Sequence, residues 1–162
     1  MLDIRTMYFL LMLSSVVAGI CMLGLKVPPG ERRRSAILWG FGSFSVATGL
    51  LLIGLRNSIP LWPSAVLGNS LLLWGFLLFY LAFSLLMGRP QQNRSALFIA
   101  LGYAVIYHFM VTLEVPVRYR ITIVSLMLMA VSIGMISVAR QPHAANPHTR
   151  SARLLVQFFY GT

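Results

Sequence analysis

Five stretches of this chain run with no charged side chain, or with one at the edge, for about the ~20 residues that an α-helix needs to cross a bilayer. They cover residues 5–25, 35–55, 63–87, 95–113 and 121–139. An ordinary soluble domain draws about a quarter of its residues from Asp, Glu, Lys and Arg. Here the charged share is 10% and the mean hydropathy is +0.81, which leaves too little polar surface to clothe a water-soluble fold. Lipid offers the backbone no hydrogen-bond partners, so a spanning segment must be a helix or a strand of a closed barrel. Barrel strands alternate apolar and polar residues, whereas Leu71 to Leu73 and Leu126 to Ala130 do not. The expected fold is therefore all-α: a polytopic transmembrane helical bundle forming a single domain over residues 1–162, with five full spans.

The connections carry the charge. If the spans alternate, one side of the membrane receives Arg5, Arg56, Arg118 and Arg120. The other receives Lys26, Arg32, Arg33, Arg34, Arg89, Arg94, Arg140, Arg150 and Arg153. An excess of Lys and Arg marks the cytoplasmic face, so the N-terminus is expected outside, with "PPGERRRS" in the cytoplasm. The same basic residues account for a net charge of +10 without invoking nucleic acid, because they sit beside spans, where lipid headgroups are the partner. The "VVAGIC" stretch ending at Cys21 has a bulky Ile20 and a long apolar run before it, so the first segment reads as a retained helix rather than a cleaved leader. A lone cysteine can form no intrachain disulfide.

Beyond the fifth span, two prolines and two histidines precede a second short apolar run, Leu154 to Gly161. Eight residues rise only ~12 Å as a helix, too little to cross. Residues 151–160 are expected to form a partial sixth helix, either interfacial or the start of an interrupted span. Past Arg153 only Gln157 offers a polar face, which favours the interrupted span.

Within the spans, small residues four apart mark helix contact faces. Ser15 and Gly19, Ser45 and Gly49, Ala96, Ala100 and Ala104, and Ala130 and Gly134 all qualify. The polar residues say more. Asn69 lies six residues in from Pro63, His108 six from Glu114, and Ser125 five from Arg120. At 1.5 Å per residue each sits roughly 8–9 Å below the same membrane face. Tyr107 belongs to that layer, with Glu114, Arg118, Arg120 and Arg56 placed to cap it. Such a layer serves either as interhelical hydrogen bonding or as an outward-facing ligand pocket, for which Asn69, Tyr107, His108, Glu114, Arg120 and Ser125 are the candidate residues.

Signatures of catalysis are lacking. His143 and His148 are loop residues with no Cys or carboxylate near them, a poor frame for zinc. His108 is the one histidine in a span, too few for a bis-histidine haem within one chain. No paired carboxylates, phosphate-binding glycine loop or nucleophile with a nearby base occurs in the spans, so neither an enzyme nor a metal or cofactor site is expected.

The order of several short motifs resembles a known family. These are "DIRT" (Asp3, Arg5, Thr6), Trp39 and Gly42, "GLRNSIP" (Arg56, Ile59, Pro60), "GNSLLLWG" (Asn69, Gly75), "GRP" (Gly88 to Pro90) and "RITIVS" (Arg120, Ser125). Together they resemble the polytopic membrane input region that precedes the catalytic GGDEF domain in bacterial diguanylate cyclases. The resemblance implies a non-catalytic sensory module of cyclic di-GMP signalling in the bacterial inner membrane, paired with a cytoplasmic GGDEF output domain. The chain departs from that family in having no GGDEF or GGEEF sequence, so cyclase activity is not implied for it. Homo-oligomerisation is compatible with the small-residue faces. The alternative classes are a small oligomeric transporter or channel subunit, and a structural or remnant membrane protein.

Overall fold

A computed structural model of the chain describes residues 4–88 and 93–140. Arg89, the two loop histidines, Arg150, Arg153 and the expected helix at 151–160 lie outside the described residues. Five helices follow one another: α1 (Ile4–Gly24), α2 (Glu31–Gly54), α3 (Gly68–Leu86), α4 (Asn93–Thr112) and α5 (Val117–Arg140). No strand occurs among the described residues. The all-α expectation holds, and each helix overlaps one of the five apolar stretches.

The boundaries differ from expectation where charge had been assigned to connections. Arg32, Arg33 and Arg34 belong to the start of α2, which begins at Glu31, directly after Pro28, Pro29 and Gly30. All three are exposed. Likewise Arg118 and Arg120 lie in the first turn of α5. A helix can extend past the hydrocarbon region because its backbone bonds are internal and long basic side chains reach for polar surroundings. Charge therefore marks where the apolar slab ends, whereas Pro and Gly mark where the helix ends.

The count of full spans also differs. Four helical stretches are long and apolar enough to cross a membrane: Thr6–Gly24, Glu31–Gly54, Pro63–Leu86 and Val117–Arg140. The expected span at 95–113 corresponds to α4, a helix of 20 residues in which Leu97–Thr112 is the apolar stretch among the described side chains. Its far end is set by a turn. Glu114 N–H bonds Val111 O at 3.2 Å, Val115 N–H bonds Met110 O at 3.0 Å, and Glu114 adopts φ 52. This is the Schellman arrangement, with Glu114 in the left-handed position where glycine usually stands and Pro116 following.

The centre of the bundle is the antiparallel pair α2 and α3. Of their most apolar stretches 39% and 44% are buried, against 6% for α1 and for α5, whose faces are largely open to lipid. Small residues explain the close approach. Ser35, Gly42 and Gly49 on α2 recur every seven residues, as do Gly68, Gly75 and Ala82 on α3, and all six are buried. A Cβ on Gly49 would lie 2.7 Å from Gly68 O, and one on Gly75 would lie 2.7 Å from Gly42 O. At the end of the row, Ser35 Oγ donates to Ala82 O at 2.7 Å. Ser45 Oγ donates to Leu71 O at 2.7 Å one step away. A repeat of seven keeps one seam facing its partner along slightly inclined helices, the geometry of left-handed packing. Of the pairs four apart, Gly19 meets α2 at Phe44 and Gly40, and Gly49 meets α3. Ala130 instead is exposed.

The other helices lean on this pair: α1 against α2, and α4 and α5 against α3. Leu73, Leu77 and Leu81 of α3 pack with Tyr103 and Tyr107 of α4 in a buried cluster. Ile123, Val124, Met127 and Leu128 of α5 border it. Before α3, Pro63–Leu67 forms a π-helical segment. Proline lacks the N–H that an interior α-turn would use, so a helix tolerates it at this opening position.

Candidate functional site

All five helices contribute to one cavity of about 310 Å³. It is lined by Tyr8 from the start of α1, Ile53 from the end of α2, Arg56 from the turn after it, and Asn69 and Leu72 from the start of α3. Tyr107 from the end of α4 and Val117 to Leu128 from the first half of α5 complete it. Alternating starts and ends can meet in this way only if the helices run up and down in turn. The cavity therefore sits at one end of the bundle, called here the Arg56 end.

Each polar side chain is held there by a local cause. On the first turn of α3, Asn69 Nδ2 donates to Ala65 O at 2.7 Å, back into the π-helical segment, and to Tyr107 Oη at 3.2 Å, across to α4. Tyr107 is in turn fixed by Tyr103, one helical turn away, with ring centroids 5.5 Å apart and an interplanar angle of 29°. Both tyrosines are buried. Because Tyr107 Oη accepts from Asn69, its own O–H remains a donor, and among the described residues it has no acceptor.

Arg120 is the unusual residue. It is 8% exposed, lines the cavity, and its Nε has no hydrogen-bond partner. Among the described residues no carboxylate is paired with this buried guanidinium, so nothing there offsets the desolvation of its charge. Its backbone position adds to the positive potential. The start of a helix carries the positive end of the macrodipole, and the first turn of α5 holds no acid. Arg56, which is exposed, lines the same cavity from the turn after α2.

The structure brings together four of the six residues expected at the polar layer: Asn69, Tyr107, Arg120 and Ser125. His108 stands at the right depth but faces away. It is exposed, and its Nδ1 accepts a hydrogen bond from Trp62 Nε1 at 2.9 Å. Glu114 is exposed on the α4–α5 turn and does not line the cavity. Tyr8, on α1, was not among the expected residues. Arg118, the other arginine of the turn, is drawn aside, its guanidinium lying 4.9 Å from the Tyr119 ring centroid.

Of the residues expected to set topology, Lys26, Arg32, Arg33 and Arg34 are exposed at the opposite end, and Arg140 ends α5 there, also exposed. Arg94 lies in the first turn of α4. No group of three or more His, Cys, Asp or Glu that could hold a metal ion occurs among the described residues. Compared with known proteins, the chain matches no family model, no curated protein and no solved structure.

Proposed function

We propose that this chain is a non-catalytic, ligand-responsive helical module of the bacterial inner membrane, its N-terminus and Arg56 end facing outward, that serves as the input region of a cyclic di-GMP signalling protein. The observation that carries the ligand-responsive part is the cavity lined by all five helices, with polar groups from α1 to α5 converging at one end. The signalling assignment rests on the resemblance of the ordered motifs, among which Arg56, Asn69, Arg120 and Ser125 all line that cavity. The nine basic residues assigned to the other side support the outward placement. In this reading α4 also crosses the membrane, with the polar Asn93 and Arg94 at its cytoplasmic end.

The packing supplies a route for the response. α2 and α3 are locked by backbone-to-backbone approach at their glycines, so neither slides readily against the other. α5 instead has only Arg120 and Val138 buried, and touches α3 through flexible side chains. A ligand seated between Asn69 and Tyr107 on one side and Arg120 and Ser125 on the other favours one tilt of α5 over another. It shifts the population only by its differential affinity for the two. The cytoplasmic end of α5, at Arg140, then moves relative to the fixed pair. A transport path is less well supported, because Leu73, Leu77, Leu81 and Tyr103 fill the bundle on the inner side of the cavity.

The test uses cysteines in a Cys21→Ala background, since Cys21 is exposed. Ser125→Cys should react with a membrane-impermeant thiol reagent added from outside. Ala82→Cys, at a position with 0% exposure, should not. An unreactive Ser125→Cys in a folded protein would show that the polar layer is packing rather than a pocket.

A further inference from the structure

We infer that the cavity at the Arg56 end is an oxyanion site, binding a carboxylate or phosphate group, with Arg120 as its principal cation. This rests on the ligand-pocket reading above and names the chemistry of what enters. Three sources of positive potential converge there: the buried Arg120 guanidinium, the Arg56 guanidinium, and the start of α5 with no acid in its first turn. None of the described residues that line the cavity is acidic. The chain has only three acids in all. Glu31 is exposed at the opposite end, Glu114 is exposed on its turn, and Asp3 lies outside the described residues.

The hydrogen-bonding inventory has the same sign. Arg120 Nε is a buried donor with no partner, and a buried unsatisfied donor calls for an acceptor. The Tyr107 hydroxyl, which accepts from Asn69, keeps its proton to donate, and Tyr107, Ser125 and Tyr8 all line the cavity. A planar guanidinium fork matches two oxygens of a carboxylate or phosphate, and a neutral hydroxyl beside it completes the shell. A cation placed there would meet two arginines and no counter-charge. A purely apolar ligand would leave Arg120 Nε unsatisfied.

A soluble small anion and an anionic lipid headgroup share this chemistry, and the experiment separates them. The full chain is purified in neutral detergent without added lipid. Its unfolding midpoint is followed against succinate, inorganic phosphate and tetraethylammonium, each at constant ionic strength set with chloride. Succinate or phosphate should raise the midpoint saturably by about 2–4 °C. Arg118→Gln, which alters an arginine outside the cavity, should keep the rise, and Arg120→Gln should lose it. Should Arg120→Gln not fold, Arg120→Lys takes its place. It keeps the charge but not the fork, and should weaken the anion at least about tenfold. In nanodiscs, a soluble ligand site keeps its succinate response in both phosphatidylcholine and phosphatidylglycerol. A headgroup site loses that response in phosphatidylglycerol, which by itself raises the midpoint of the native chain but not of Arg120→Gln.

An anion response of equal size in Arg120→Gln overturns the proposal. So does a response seen only in Asp3→Asn, which would mean that the chain's own carboxylate fills the site. A response to tetraethylammonium with none to either anion overturns the oxyanion chemistry and leaves the pocket standing. The same holds if no probe acts while Ser125→Cys still reacts with the thiol reagent. No response to any probe together with an unreactive Ser125→Cys removes the pocket itself, and the inference with it.

Discussion

Glu114 shows how a single residue can be charged, close to a polar cavity and yet engaged in something else. Its φ of 52 puts an L-residue in the left-handed region, at a cost of about 1–2 kcal/mol relative to the right-handed helix. The Schellman bonds around it fix that conformation whatever the side chain. Glu114→Gly relieves the steric cost but gives the unfolded chain more freedom, which returns about 0.4–1 kcal/mol of it. The expected outcome is a stability gain of about 0.5–1 kcal/mol, read from reversible unfolding in mixed micelles. Loss of stability would mean that the carboxylate makes a contact worth more than the strain it accompanies. Asn69 is the opposite case: one side chain ties the π-helical segment, α3 and α4 together, using both hydrogens of its amide.

Among the elements, the α2–α3 pair is held by the absence of side chains. Every seventh residue on each helix is Gly, Ala or Ser, and the backbones come close enough for a hydroxyl to reach the opposite carbonyl. Without a hydrophobic drive between helices in lipid, this close packing is a main source of attraction. In Gly75→Ala the new methyl would sit 2.5 Å from Val46 Cγ2 and 2.7 Å from Gly42 O. Val46 can rotate, but the Gly42 carbonyl cannot move without the helix. Overpacking of this kind costs about 1–3 kcal/mol, and Gly75→Ala should fall in the upper half of that range. Gly24→Ala, with nothing within 4 Å of its Cβ, should change stability by less than about 0.5 kcal/mol. Equal effects of the two substitutions in the same unfolding assay would contradict the described seam.

For the whole molecule, orientation decides which solution the cavity meets. Lys26, Arg32, Arg33, Arg34 and Arg140 stand at the Glu31 end against Arg56, Arg118 and Arg120 at the other, an excess that favours the Glu31 end as cytoplasmic. Alkaline phosphatase fused after Ser58 should therefore be active and fused after Arg33 inactive. A fusion after Glu114 tests whether α4 crosses. Activity there equal to that after Ser58 means that α4 crosses. Inactivity means that it does not, and the five-helix cavity could not then assemble in the membrane. Activity after Arg33 would invert the molecule and place the cavity on the cytoplasmic side.

Which segments are helical was legible in the chain, since lipid forces each long apolar run to satisfy its own backbone. Depth was legible too, because a fixed rise per residue turns sequence position into distance from the membrane face. That arithmetic brought Asn69, Tyr107 and Ser125 to one level with Arg120 capping them, and all four line the cavity. Rotation about each helix axis was not legible. These helices are apolar nearly all round, so burial has no polar face to work against, and neighbouring residues point about 100° apart. Tyr107 and His108 are adjacent and equally deep, yet one turns into the cavity and the other outward to Trp62. Only the packing of glycine against glycine, which sets how α2 and α3 face each other and so where α4 and α5 can lean, decided between them.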